Sequence, residues 1–206
     1  MIIGIVGRAR VGKDTFASIL AEELFDSTRF RFVLVAYATE LKKRLQYDFD
    51  LSYEQLWGSE KETPDFRYKK RDSDNSFWTA REIMQFIGTE CYRSVDSDFW
   101  VKQLFRIIDD NEYSNVIITD IRFPEEAVPV SDRGGYLIKV TSVRELEEIN
   151  GNSHSSEVSM DNYDKIDYHV KNDGTIDELR GIAKQVVKFI LKSEELKTRL
   201  SENKGD

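Results

Sequence analysis

Short, almost wholly apolar runs alternate along the chain with stretches in which apolar residues return every three or four positions. Ile2-Ile3-Gly4-Ile5-Val6 and Asn115-Val116-Ile117-Ile118-Thr119-Asp120 read as strands of the parallel, doubly covered kind, because their apolar residues follow one another without a polar face. Phe30-Arg31-Phe32-Val33-Leu34-Val35-Ala36-Tyr37, Tyr136-Leu137-Ile138-Lys139-Val140 and Tyr168-His169-Val170 are rich in β-branched and aromatic residues and read as three more. Between them Phe16, Ile19, Leu20 and Leu24 keep helical spacing, and Glu40 to Tyr47 reads as a short basic helix. Asp98 to Asp109 is amphipathic through Phe99, Val101, Leu104, Phe105 and Ile108. Thr175-Ile176-Asp177-Glu178 caps a long last helix with Leu179, Ile182, Val186, Phe189 and Ile190 on its apolar face; beyond it, Ser193 to Asp206 is polar enough to fray. Strands alternating with helices predict an α/β fold.

Some passages break this rhythm. From Asp50 to Trp78 the periodicity disappears: Ser52-Tyr53-Glu54-Gln55 can cap a short helix, and a polar run follows from Gly58 to Asp74 with Lys61, Arg67, Lys69, Lys70 and Arg71. Such a long excursion inside a compact domain is functional or disordered. Trp57, Phe66 and Trp78 within it can stack on a base or simply pack. Thr79-Ala80-Arg81-Glu82 is a capping box, and on the helix it opens Arg81, Gln85, Thr89 and Arg93 share one face. Gly88 lies beside that stripe, where a missing side chain lets a ligand or backbone approach. Pro124 suits a first helical turn, Pro129 is expected to end that helix early, and Gly134-Gly135 makes a turn. Arg144 and Asn150-Gly151-Asn152-Ser153-His154-Ser155-Ser156-Glu157 form a polar passage suited to a flap that closes over phosphates.

Composition narrows the field. A chain of 206 residues, 40% hydrophobic, suits one domain with lobes. A net charge of −8, from 30 basic and 38 acidic residues, argues against a general nucleic-acid surface, so any nucleotide is held by a few placed cations. The single Cys91 excludes an internal disulfide and a cysteine metal cluster and fits a reducing cytoplasm. His154 has no partners at metal spacing. No run approaches the ~20 apolar residues of a membrane span.

The chemistry centres on Gly7-Arg8-Ala9-Arg10-Val11-Gly12-Lys13-Asp14-Thr15, which follows the first strand and opens the first helix. Backbone N–H groups of such a loop converge on an anion, the helix N-terminus adds positive partial charge, and Lys13 reaches the outer phosphates: a P-loop. The residue after the lysine is Asp14 where Ser or Thr usually holds Mg²⁺; Asp14 either serves the metal, with Thr15, or complements the helix dipole. Asp120 ends an apolar strand, where α/β proteins bind ligands, and suits Mg²⁺ or its water, with Arg122 for a phosphate. Lys42 lies nearest the end of the second strand. The Arg81, Gln85 and Thr89 stripe offers fork-like donors for phosphate and partners for a base edge.

Gly12-Lys13-Asp14-Thr15, Arg81 through Glu90, Thr119-Asp120-Ile121-Arg122-Phe123-Pro124-Glu125-Glu126, His154-Ser155-Ser156-Glu157 and Asn172-Asp173-Gly174 together resemble the phage deoxynucleoside monophosphate kinases, from the loop to the last helix. The resemblance implies a P-loop NTPase fold related to adenylate kinase, with a five-stranded parallel sheet flanked by helices. It places a core over residues 1–49, 98–141 and 165–192, an NMP-binding insertion near 50–97, a lid-like segment near 142–160 and a polar tail at 193–206. The activity it implies is transfer of the ATP γ-phosphoryl group to a dNMP, giving dNDP and ADP with Mg²⁺. The family tolerates Asp at the position of Asp14, whereas Pro129 departs from its usually longer helix.

In that mechanism the donor occupies Gly7, Arg10, Val11, Gly12, Lys13, Asp14 and Thr15, with Asn172 and Gly174 near its adenine. Thr15, Asp14 and Asp120 arrange the metal. Arg122, Arg81 and Arg144 neutralise phosphoryl charge, and Lys42, Arg81, Gln85, Gly88, Thr89, Arg93, Arg122 and Glu157 receive the acceptor across one cleft. The partner is then a small molecule, with no nucleic-acid polymer and no membrane, in the cytoplasm of a host if the chain is phage-encoded; a homodimer stays open. The loop alone does not name the acceptor. Dephospho-coenzyme A or phosphomevalonate kinases, and a non-enzymatic nucleotide-gated binding protein, are the alternatives.

Overall fold

A computed structural model describes residues 1–71, 75–143, 159–160 and 162–202. In chain order its elements are β1 (Ile2–Val6), α1 (Lys13–Thr28), β2 (Val33–Val35), α2 (Ala38–Asp48) and α3 (Tyr53–Leu56). A 3₁₀ turn (Ser59–Glu62), β3 (Pro64–Lys69), β4 (Phe77–Thr79), α4 (Ala80–Gln85), a π-helical segment (Phe86–Tyr92), α5 (Arg93–Val95) and α6 (Phe99–Asp110) follow. The chain closes with β5 (Val116–Ile121), α7 (Pro124–Asp132), β6 (Tyr136–Thr141), β7 (Tyr168–Lys171) and α8 (Ile176–Glu202). It divides into two compact units, Met1–Val35 with Glu112–Asp206, and Ala36–Asn111. The second unit thus takes in α2 and α6.

In the first unit five strands form one sheet in the order β2-β5-β1-β6-β7, and every pairing is parallel. The continuous apolar runs explain this, since both faces are covered. On one face Phe16, Leu20 and Leu24 of α1 and Leu179, Val186 and Ile190 of α8 pack with Ile3, Ile5, Ile117 and Ile138. Arg180 of α8 ties the two helices by pairing with Glu22 at 2.8 Å and the buried Glu23 at 2.9 Å. On the other face α7 brings Val130 against Gly4 and Gly135.

Expectation and structure differ at three places here. The second strand is confined to Val33–Val35, because among the described residues β2 is an edge paired with β5 alone, and Tyr37 already serves as the N-cap of α2. Pro129 does not end its helix: α7 runs on to Asp132, because one missing N–H in a helix whose start is fixed removes a single bond. The chain after Ser193 does not fray at once, since α8 continues to Glu202. The buried Tyr136 donates its hydroxyl to Glu194 at 2.6 Å, and Lys197 donates to Glu194 and to the Gly134 carbonyl, both at 2.8 Å.

Among its described residues the second unit has no large sheet. The stretch read as aperiodic holds a two-stranded antiparallel hairpin, β3 with β4. Its order comes from side chains. The expected capping boxes at Ser52/Gln55 and Thr79/Glu82 are both formed. Gln55 also donates to Asp65 at 2.9 Å, Tyr68 donates to the Phe49 carbonyl at 2.6 Å, and Lys70 pairs with Glu82 at 2.5 Å.

Candidate active site

The loop between β1 and α1 is built by backbone conformation. Gly7 (φ 152°) and Gly12 (φ 86°) lie in the left-handed half of backbone space, and Arg10 (φ 63°) joins them at a cost. A Cβ on Gly7 would strike the Val140 carbonyl, and one on Gly12 would strike the Asn172 amide. The first helical bond is Phe16 N–H to Gly12 O at 2.9 Å, so the N–H groups before it have no intrahelical partner. Val11 is buried in the core and pins the loop from below. Lys13 is itself buried, and its ammonium donates to the Arg8 carbonyl inside the curl of its own loop. Asp14 and Thr15 are exposed in the first turn of α1.

Asn172 comes to this loop from the far end of the unit. Its Nδ2 donates to the Val11 carbonyl at 2.9 Å while its backbone N–H extends the sheet to Thr141 O at 2.8 Å. Asn172 therefore braces the loop's backbone. Gly174 lies exposed at the following turn, where Glu178 closes the Thr175 cap at 2.7 Å. Asp173, which the sequence reading left without a role, accepts from Val143 N–H at 2.5 Å and pairs with Lys171 at 3.0 Å. These bonds hold its carboxyl below its ordinary value, the Val143 bond contributing most.

The third piece is the corner after β5. Between the pairings Gly4–Ile118 and Val6–Ile121 the register shifts, so β5 sets two residues, Thr119 and Asp120, against the single Ile5 of β1. An extra residue of this kind re-aims a side chain at a strand end. Asp120 and Arg122 are both half-buried. The Arg122 corner is fixed by Glu126, a buried carboxylate that accepts from the Arg122 N–H at 2.8 Å and the Phe123 N–H at 3.2 Å. Glu126 had a legible signal, an acidic residue three positions after a helix N-cap, and still received no role of its own in the sequence reading.

In the second unit Arg81, Gln85, Thr89 and Arg93 are all half-buried. Arg81 donates through Nε to Glu62. Among the described residues the Gln85 amide and the Thr89 hydroxyl have no hydrogen-bond partner. A Cβ on Gly88, where a ligand or backbone was expected to approach, would stand 2.7 Å from Leu41 Cδ2, so the glycine admits a leucine side chain of α2. Its carbonyl, left free by the widened π-helical turn, accepts from the Trp100 indole at 2.9 Å. Lys42 lies 5.5 Å above the Trp57 ring, which stacks on Tyr53 at 5.3 Å. Phe66 meets Phe77 edge-on, and Trp78 tilts against Phe86 beneath Lys70. Arg144, His154 and Glu157 lie outside the described residues.

Asp14, Thr15 and Asp120 offer hard oxygen donors of the kind Mg²⁺ takes, one or two carboxylates with the rest of the shell from phosphates and water. No cluster of three or more His, Cys, Asp or Glu residues suited to a metal occurs among the described residues. None of their helices is long and apolar enough to cross a membrane.

Comparison with known proteins gives three findings. A shikimate kinase of Aquifex aeolicus is 20% identical, with 96% of this chain and 98% of that one covered at a TM-score of 0.44. A protein of Acanthamoeba polyphaga mimivirus, provisionally described as a deoxynucleotide monophosphate kinase, is 30% identical over 195 residues, 86% of this chain and 91% of its own. The family model "Deoxynucleotide monophosphate kinase" matches residues 67–182, which run from the β3 strand through the Arg81 helix and the Asp120 corner into α8. The chain accordingly belongs to the deoxynucleotide monophosphate kinase family, and it is a phosphotransferase of the nucleotide kinase class.

Proposed function

We propose that the protein transfers the γ-phosphoryl group of ATP to a deoxynucleoside monophosphate, forming dNDP and ADP. Lys13 carries the reading: a buried ammonium held inside a glycine-lined curl at a helix N-terminus is built to receive the outer phosphates of a nucleotide. Family membership and the mimivirus relative support the deoxynucleotide acceptor.

The chemistry asks little of an acid or base, since the acceptor phosphate is ionised at neutral pH. Positioning and charge neutralisation do the work. The Gly7–Thr15 backbone cradles the donor phosphates and Asn172 keeps that backbone in place. Arg122, on a corner held by Glu126, faces phosphoryl charge. Arg81, Gln85 and Thr89 read the acceptor, a role supported by the Gln85 amide and the Thr89 hydroxyl, which have no partner among the described residues. Mg²⁺, when bound through Asp14, Thr15 or Asp120, neutralises charge on the phosphate oxygens.

The test is ADP release measured across the four dNMPs, the ribonucleotides, dephospho-coenzyme A and phosphomevalonate. Release dependent on a dNMP is expected, falling about 100-fold or more in Lys13→Ala while the far-UV spectrum is unchanged. Release that is independent of any acceptor, or unaltered in Lys13→Ala, contradicts the proposal.

A further inference from the structure

The arginines of the second unit are held in two ways. Arg67 is fully engaged: its Nε reaches both Asp65 oxygens at 2.9 and 3.3 Å, Nη2 reaches Asp65 at 2.7 Å and the Asp50 carbonyl at 3.1 Å, and Nη1 reaches the Asp50 carboxylate at 3.2 Å. Such a guanidinium is a staple for the hairpin, with all three nitrogens committed and a single Nη1 N–H left over. Arg81 is engaged at one edge alone. Its Nε donates to Glu62 Oε1, its side chain is 28% exposed, and Nη1 and Nη2 have no partner among the described residues.

We propose that Glu62 is the positioning residue of the acceptor site, fixing Arg81 by its Nε so that the Nη1–Nη2 edge presents a rigid fork to the acceptor's phosphate. This rests on the reading of Arg81 as a phosphate ligand given above. A free arginine side chain has many rotamers, and affinity is lost in ordering them; a guanidinium already fixed at Nε loses less when two parallel bonds to a phosphate form. Glu62 is itself braced. It ends the 3₁₀ turn Ser59–Glu62, closed by Thr63 N–H to Glu60 O at 3.1 Å, between two formed capping boxes, one of which carries Arg81 itself in its first turn. Excess charge does not explain the contact. Glu62 stays 49% exposed, where an ion pair contributes little to stability, so the geometry imposed on Arg81 is what the pair supplies.

Steady-state kinetics of the full chain at saturating ATP test this with Arg81→Ala, Glu62→Ala, Glu62→Gln and the Arg81→Ala/Glu62→Ala double variant, each checked for an unchanged thermal midpoint. Arg81→Ala and Glu62→Ala each raise the dNMP KM, Glu62→Ala by about tenfold, the scale of one charge-assisted hydrogen bond, with the ATP KM unmoved. Glu62→Gln, whose amide oxygen still accepts from Nε, stays within about twofold, and the double variant is no worse than Arg81→Ala. A Glu62→Ala KM that is unchanged while Arg81→Ala raises it overturns the proposal, as does a Glu62→Ala KM that falls, the mark of a competing carboxylate. An unchanged KM in Arg81→Ala overturns the phosphate-ligand reading of Arg81, and the role of Glu62 with it.

Discussion

The two units hold their chemistry in place by different means. In the unit of Met1–Val35 and Glu112–Asp206 the chain's own backbone is the device: a parallel sheet, a loop with left-handed glycines, and a register shift beside Asp120. Side chains such as Asn172 and Glu126 only brace that backbone. In the unit of Ala36–Asn111 the backbone is irregular, and side chains that reach partners distant in sequence give it shape: Arg67 to Asp50, Gln55 to Asp65, Arg81 to Glu62, and the Trp100 indole to the Gly88 carbonyl. The lesson is that a phosphate cradle built from N–H groups needs fixed dihedral angles, whereas a surface that reads one acceptor among several needs directed side chains.

Glycine is where this contrast breaks most readily. Gly12 is required by its dihedral angle, but Gly88 is required only by the space Leu41 fills. Gly88→Ala is expected to destabilise the second unit by about 1–3 kcal/mol, the range for overpacking, and the Gly88→Ala/Leu41→Ala pair to cost clearly less than the sum of the two single changes, because the leucine's removal relieves the clash. Denaturant unfolding of the single and double variants checks this. Failure of Leu41→Ala to compensate would mean that Gly88 too is held by backbone demands.

A smaller effect sharpens the same contrast through pH. The buried Asp65 carboxyl is held well below the usual carboxylate range, chiefly by hydrogen bonds from Arg67, with burial opposing and Gln55 adding to the effect. A lowered native pKa gives stability that is fully present above the unfolded value, near pH 4, and is lost as pH falls through the native value. Asp65→Asn is therefore expected to cost about 1 kcal/mol at neutral pH, the net scale of a hydrogen bond, with the gap from the parent protein closing below about pH 4. Parallel stability curves for the two proteins from pH 7 to pH 3 would remove Asp65 from the account.

These differences decide what could be read from the sequence. The sheet was legible because Ile2-Ile3-Gly4-Ile5-Val6 and Val116-Ile117-Ile118 carry their burial in consecutive letters, and the loop because its glycines and Lys13 sit at fixed offsets. The capping boxes at Ser52 and Thr79 were legible for the same local reason. The hairpin was not, since β3 is largely exposed, alternates charged Asp65, Arg67 and Lys69 with Phe66 and Tyr68, and is held by Asp65 and Arg67 meeting Gln55 and Asp50 from elsewhere in the chain. Glu62 and Leu41 were invisible too, each meeting its partner across a sequence gap that no periodicity marks. Gly88 marks the limit of such reading: a glycine in a helix asks for a close neighbour without naming it, and the leucine that stands there carries no local signal.

Equilibrium nucleotide binding separates the units most directly. If the first holds the donor and the second the acceptor, titration of the full-length protein with a non-hydrolysable ATP analogue and, separately, with dNMP should divide cleanly between two variants. Lys13→Ala is predicted to lose analogue binding and keep dNMP binding, while Arg81→Ala does the reverse. A loss of both ligands in either variant, or of dNMP alone in Lys13→Ala, would contradict the assignment.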